Sequence, residues 1–281
     1  MTNAEGPSVP LTTVGACQVA IDIDDPTATR AALDAAVGSA VRAGAQLVVL
    51  PELAVCGGAF STSAEAAQRS EPDDGPSVSW YCELSRRYGM VLVAGFCERG
   101  PDRPYNSAVL VDHGRILTVY RKTHLWGIEK EIFRPGDAPP PVVGASLGRI
   151  GVVICYDLEI PEVSRSLALR GAQLIAAPAN WPLLPRPAGE RPAEVFKAQT
   201  AAAVNRTFVV VADRCGVERG QDWIGGSVIC GLDGYPLAAP VYGEPTVLLA
   251  EVDLEAALDK SFGPYNDVFA DRRTELYGDG C

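Results

Sequence analysis

Three side chains of different chemistry stand just past apolar stretches of this chain: the carboxyl of Glu52, the ammonium of Lys122 and the thiol of Cys155. Glu52 follows the run 46–50 and Pro51, Lys122 follows 115–121, and Cys155 closes Arg149-Ile150-Gly151-Val152-Val153-Ile154. A carboxylate, an ammonium and a thiol in one place would supply a base, an oxyanion stabiliser and a nucleophile. Each also has a plainer reading. Glu52 fits a charge at an element end, Lys122 a solvated loop residue, and Cys155 a buried inert thiol, the commoner case on position alone. Nothing in the sequence by itself joins the three in space.

The elements that must position them alternate. A strand at 11–21 leads to Asp25-Pro26, an N-cap and first turn opening an alanine-rich helix to about residue 43. A continuous apolar strand at 46–50 follows, then a helix at 77–88 and a strand at 90–97. Strands at 106–111 and 115–120 flank Asp112-His113-Gly114, a hairpin signal. The second half repeats this grammar: strand 149–155, helix 161–170 opened by Pro161-Glu162, strand 174–177, helix 190–205 and strand 208–213, with short strands at 227–229 and 247–252. Prolines 182, 185, 187 and 192 mark an ordered loop or lid. Hairpins interrupting the alternation predict a layered α/β fold with mixed sheets. Strand carboxyl ends are where sites assemble in such sheets. Residues 1–10 read as a flexible tail and 11–281 as one domain.

Composition narrows the partners. The chain has 281 residues, a formal charge of −11 and no basic block, so no nucleic-acid partner is expected. Eight cysteines without a C-x-x-C pair, and two histidines, argue against a zinc site. No run reaches membrane-spanning length and no basic leader with an apolar stretch opens the chain, so a soluble, cytoplasmic protein with free thiols and no membrane partner is expected.

Leu50-Pro51-Glu52-Leu53, Tyr120-Arg121-Lys122-Thr123-His124-Leu125 and Gly151-Val152-Val153-Ile154-Cys155-Tyr156-Asp157, with Pro161-Glu162 behind, resemble the three signature blocks of the nitrilase (carbon–nitrogen hydrolase) superfamily in order and separation. Asn106-Ser107, Phe133-Arg134-Pro135-Gly136 and Ala203-Val204-Asn205-Arg206 resemble it too, and the likeness spans nearly the whole chain. The resemblance implies an α-β-β-α sandwich that pairs into a four-layer homodimer or a higher homo-oligomer. It also implies a Glu-Lys-Cys site with no cofactor and no metal: Glu52 as base, Lys122 with the Tyr156 N–H for the oxyanion, Cys155 as nucleophile. Glu129, in Glu129-Lys130-Glu131-Ile132-Phe133, matches the family's second glutamate, with Glu131 the alternative. The implied activity is amidase hydrolysis of a small-molecule carboxamide. Nitrile hydrolysis, N-carbamoyl amine hydrolysis and acyl transfer through the same thioester are the alternatives, and a non-catalytic binding protein is a further one.

The substrate must be set by residues around that centre. Family members that bind free carboxylates often carry arginine just after the Cys-Tyr-Asp block, where this chain has Leu158-Glu159. Glu159 either attracts an amine-bearing carboxamide or pairs with a structural arginine. Asn180 and Trp181, after the strand at 174–177, and Trp126, after the lysine block, are candidate pocket residues. His124 is expected to be a structural loop residue, Asp157 a helix-start cap and Cys56 a core residue.

Overall fold

A computed structural model describes residues 11–277. Its first half contains β1 (Thr12–Gln18), α1 (Pro26–Arg42), β2 (Leu47–Val49), α2 (Ser63–Gln68), α3 (Pro76–Tyr88), β3 (Val91–Glu98), β4 (Tyr105–Asp112), β5 (Arg115–Arg121) and the short α4 (Glu129–Ile132). The second half contains β6 (Val142–Ala145), β7 (Gly148–Val152), α5 (Pro161–Leu169), β8 (Leu174–Ala179), α6 (Ala193–Asn205), β9 (Phe208–Asp213), β10 (Val217–Glu218), β11 (Gln221–Asp222), β12 (Val228–Cys230) and β13 (Thr246–Val252).

Two mixed sheets result, in the orders β13-β1-β2-β3-β4-β5 and β12-β9-β8-β7-β6. Period-two side-chain alternation decides which layer each residue joins. Along β2, Leu47 and Val49 enter the cluster shared with Ile175, Ala177, Val209 and Val211 of the second sheet. Val48 and Leu50 instead join Leu33 and Val37 of α1 and Val78 and Leu84 of α3. Helices α5 and α6 cover the other face of the second sheet through Val163, Leu167, Val195 and Ala202. The result is the expected α-β-β-α sandwich of mixed sheets.

β1, β2 and β3 run parallel, as do β7, β8 and β9. Two antiparallel steps through β4 return β5 to the direction of β3. The β4–β5 hairpin turns at His113 and Gly114, both with positive φ, the pair of conformations a two-residue turn needs to follow strand twist. Lys122 therefore leaves its sheet at the same end as Glu52.

Several boundaries differ from the sequence reading. β7 stops at Val152, so Cys155 does not end a strand; it opens a 3₁₀ turn, Cys155–Glu159. Val153 and Ile154 are apolar because they are fully buried, and composition cannot separate that burial from strand. Helix α2, strand β6 and the β10–β11 hairpin had no periodic signal and are too short to carry one. The expectation of a tail at 1–10 lies outside the described residues.

Gly95 shows how tightly the first sheet fixes the site. A Cβ there would lie 2.4 Å from the Leu53 nitrogen and 2.7 Å from the Glu52 Cα, so only glycine lets the Glu52 backbone rest on β3. Gly95→Ala is expected to destabilise the fold by about 1–3 kcal/mol, read from the denaturant midpoint, with a parallel loss of turnover. An unchanged midpoint would contradict this contact.

Candidate active site

Glu52 sits beyond β2 on a segment pinned to β3, with Leu50 N donating to Val93 O at 2.8 Å and Gly95 N to Pro51 O at 3.1 Å. The next residue, Leu53, has φ 49°, a left-handed conformation that a non-glycine residue holds only where its surroundings impose it. Lys122 leaves β5 with its backbone N–H on Asn106 O at 2.8 Å, while Gly136 N binds Lys122 O at 2.8 Å. Glu129 opens α4, and its Oε2 accepts from Trp126 N at 2.8 Å.

These segments bring three charged groups together out of water. Lys122 Nζ lies 2.6 Å from Glu52 Oε1, and 3.0 and 2.8 Å from the two carboxyl oxygens of Glu129. The Lys122 side chain is 1% exposed. Asn106 Nδ2 donates to Glu52 at 2.6 Å and to Glu129 at 2.9 Å, tying both carboxyls from the β4 side. Glu129 therefore faces the ammonium, whereas Glu131 is exposed. Asn106 is the site residue that sequence reasoning passed over, although its block was recognised. A lone amide inside the apolar strand 105–112 was the available signal.

Cys155, 6% exposed, lines the same cavity and has φ 49°. Such strain persists only where neighbours hold it, and here Asp157 does so. Its carboxyl accepts from Ile154 N at 3.1 Å within the turn. It also takes Tyr120 OH at 2.9 Å, Thr123 Oγ1 at 3.0 Å and His124 N at 2.9 Å from the lysine segment. Asp157 is thus more than the expected cap: it joins the Cys155 turn to the Lys122 loop across the two sheets. His124 Nδ1 lies 2.8 Å from the same carboxyl, which raises the pKa of the imidazole above its ordinary value. Cys56 is half-buried in a turn and packs against the small apolar cluster that includes Leu53 and Cys97.

The electrostatics follow from burial and from two carboxyls sharing one ammonium. Burial lifts the Glu52 carboxyl to about 7; Lys122 opposes this and Glu129 adds to it. Burial also acts against the Lys122 ammonium, but Glu129 and Glu52 outweigh it and hold Lys122 well above the usual lysine range. Burial, then the Glu52 charge, pushes the Cys155 thiol well up, with Lys122 and the Asn180 backbone N–H working the other way. The resting sulfur is a thiol in the same cavity as a carboxyl of raised pKa.

The cavity around these groups has a volume of about 360 Å³, within the usual range for small-molecule sites. Tyr156, Glu159, Asn180, Trp181 and Trp126 all line it. Trp181 is almost fully buried, with its backbone N–H on Asp213 Oδ1 at 2.9 Å, so its ring is a fixed wall, while Trp126 is partly exposed. Among the described residues Glu159 has no arginine partner. Its carboxyl pairs with Lys197, because α6 packs against the 3₁₀ turn and carries that lysine to it. A second wall, Gly58-Ala59-Phe60, is held by the buried Glu218, which accepts from Gly58 N at 2.9 Å, Ala59 N at 2.7 Å and Arg214 Nη1 at 2.9 Å.

Asp157→Ala removes acceptors from both site segments at once. It is expected to cost about 3 kcal/mol or more in stability and to lower kcat at least roughly tenfold even under conditions where the variant is fully folded. Denaturant titration and kinetics on the same preparation check this, and full activity in a folded variant would contradict the linkage.

Comparison with known proteins agrees with this geometry. The carbon-nitrogen hydrolase family model matches residues 13–258. A protein named nitrilase from Pyrococcus abyssi is 38% identical over 244 residues, covering 86% of this chain and 89% of that one. A mutant of the amidase from Nesterenkonia sp. AN1, showing covalent addition of the acetamide moiety of fluoroacetamide at the active-site cysteine, superposes with a TM-score of 0.81 at 29% identity, over 99% of this chain and 100% of that one. Another mutant of that amidase, in complex with butyramide, gives 0.79 at 30% identity over 96% and 97%. With its sandwich fold and its cavity holding Glu52, Lys122, Glu129 and Cys155, this chain belongs to the carbon–nitrogen hydrolase family and is an amidase-type hydrolase of non-peptide C–N bonds.

Proposed function

We propose that the chain hydrolyses a small carboxamide to a carboxylic acid and ammonia through a thioester on Cys155. The observation that carries this is the Lys122 ammonium held at hydrogen-bond distance by Glu52 and Glu129 in the cavity that Cys155 also lines. A thiol of raised pKa attacks slowly unless a base takes its proton as the bond forms. Glu52, itself lifted toward neutrality, accepts that proton while the sulfur attacks the amide carbon. Lys122 and the Tyr156 N–H receive the oxyanion in a site shielded from water, where fixed charges act more strongly than in solution.

Glu52 then returns the proton to the leaving nitrogen, and ammonia departs. Water deprotonated by Glu52 attacks the thioester, releasing the acid and restoring the thiol. Glu129 holds Lys122 in place and orients the substrate amide and the water. The Nesterenkonia amidase, with an acetamide moiety on its cysteine in one structure and butyramide bound in another, supports a small acyl group and cysteine chemistry here as well. Leu169 of α5 and Phe196 and Val204 of α6 leave exposed apolar surface, which supports pairing of two copies through these helices.

Cys155→Ala is expected to abolish ammonia release from a carboxamide panel while leaving thermal unfolding unchanged within about 1 kcal/mol. Turnover in that variant would sink the mechanism, and ammonia from a nitrile panel alone would move the assignment to nitrile hydrolysis. The pH profile follows from the base. Below its pKa Glu52 is protonated and cannot take the thiol proton, so kcat/KM should fall about tenfold per pH unit below an acid limb near 7. Lys122 stays charged well beyond the ordinary range and contributes no alkaline limb below about pH 10. An acid limb near the ordinary glutamate value would contradict Glu52 as the base.

A further inference from the structure

At the mouth of the cavity a second pair of opposite charges lies apart from the Glu52–Lys122–Glu129 group. Glu159 ends the 3₁₀ turn that begins at Cys155, and its carboxyl accepts a hydrogen bond from Lys197 Nζ of α6. Both residues line the cavity. The Glu159 side chain is 11% exposed and that of Lys197 44%, so the carboxyl lies inward and the ammonium reaches it from the solvent side. Burial raises the Glu159 carboxyl above its usual range, and Lys197 opposes that rise.

The other cations lining the cavity are engaged. Lys122 is held by Glu52 and Glu129, and Arg219 binds Asp24 at 2.9 and 2.6 Å and Glu65 at 2.7 Å. Glu194, half-buried at the same mouth, adds its charge to the field on Lys197. A carboxylate entering this pocket meets no uncommitted cation among the described residues. An ammonium meets a Glu159 that already has its counter-ion, so that among the described carboxylates of the lining only the half-buried Glu194 stands without a paired cation. The remaining wall is largely apolar, with Phe60, Trp126, Ile128, Leu184 and Trp223.

We propose that Lys197 sets the charge preference of the acyl pocket: by neutralising Glu159 it fits the cavity to carboxamides with an uncharged acyl arm and turns away arms bearing an ammonium or a carboxylate. This rests on the amidase reading of the cavity. It also makes the preference reversible by a single substitution, because removing either partner leaves the other charge unpaired beside the substrate.

The test compares butyramide, γ-aminobutyramide and succinamate, acyl arms of matched length carrying no charge, an ammonium and a carboxylate. The wild-type chain should favour butyramide in kcat/KM over both. Lys197→Met should raise the γ-aminobutyramide to butyramide ratio roughly tenfold, and Glu159→Gln should raise the succinamate to butyramide ratio similarly. Lys197→Arg keeps the pair and should hold the wild-type ratios within about twofold. Thermal melting verifies folding, and Lys197→Gln stands in if the methionine variant does not fold.

Ratios that stay put in both pair-breaking variants overturn the proposal. A wild-type preference for a charged amide overturns it too, as does a shift produced by Glu194→Gln instead. A second readout does not need turnover: the rates at which aminoethyl and methyl methanethiosulfonate label Cys155, followed by peptide mass. Their ratio cancels any change in sulfur reactivity and should rise in Lys197→Met. If none of the amides is hydrolysed but this ratio rises, the amidase reading fails while the charge assignment stands.

Discussion

One ammonium shared by a buried carboxyl and a half-buried one is the interaction on which the rest of this structure depends. Lys122 is almost inaccessible to solvent, and Glu52 and Glu129 both reach its nitrogen. Burying ions costs several kcal/mol each unless partners and hydrogen bonds replace water. Here Asn106 supplies the additional N–H groups. Burial is what lifts the Glu52 carboxyl to about 7, against the pull of Lys122 and with Glu129 adding to the rise. Burial, with the Glu52 charge behind it, also holds the Cys155 thiol well above its ordinary range. The resting site thus holds a neutral sulfur, a carboxyl lifted toward neutrality and an ammonium around one cavity.

The fold maintains this cluster by over-determining the segments that carry it. Glu52 is pressed onto β3 where Gly95 leaves room, and Asp157 fastens the Cys155 turn to the loop after β5. Glu218, fully buried with Arg214, holds the Gly58–Ala59 backbone that forms another wall. Left-handed conformations at Leu53 and Cys155 fall beside the reacting groups, where the surrounding bonds can hold them. The Asp157 and Glu218 carboxyls are polar and buried, and each links segments distant in sequence.

That distance explains what could be read from the chain alone. Layering was legible because apolar strands alternate with amphipathic helices along the chain, and because the hairpin at Asp112-His113-Gly114 has a local signature. Glu52, Lys122 and Cys155 were legible as strand-end residues and then as family blocks. Asn106 was not, because an amide in a strand shows its role only once its neighbours across the sheet are known. Glu159 could be flagged, yet its partner lies 38 residues away on a helix whose contact with the 3₁₀ turn no periodicity encodes. Glu218 and Arg214 lie in no recognised motif, and only packing reveals that they are enclosed.

The central claim is that Cys155 becomes acylated during turnover, and peptide mass spectrometry after rapid acid quenching of a reacting carboxamide tests it most directly. The account predicts that the Cys155 peptide gains the mass of the acyl group without its nitrogen, and that this adduct gives way to free thiol as the carboxylic acid accumulates. Ammonia release with an unmodified Cys155 at every quench time, or acylation of a different cysteine, would contradict it.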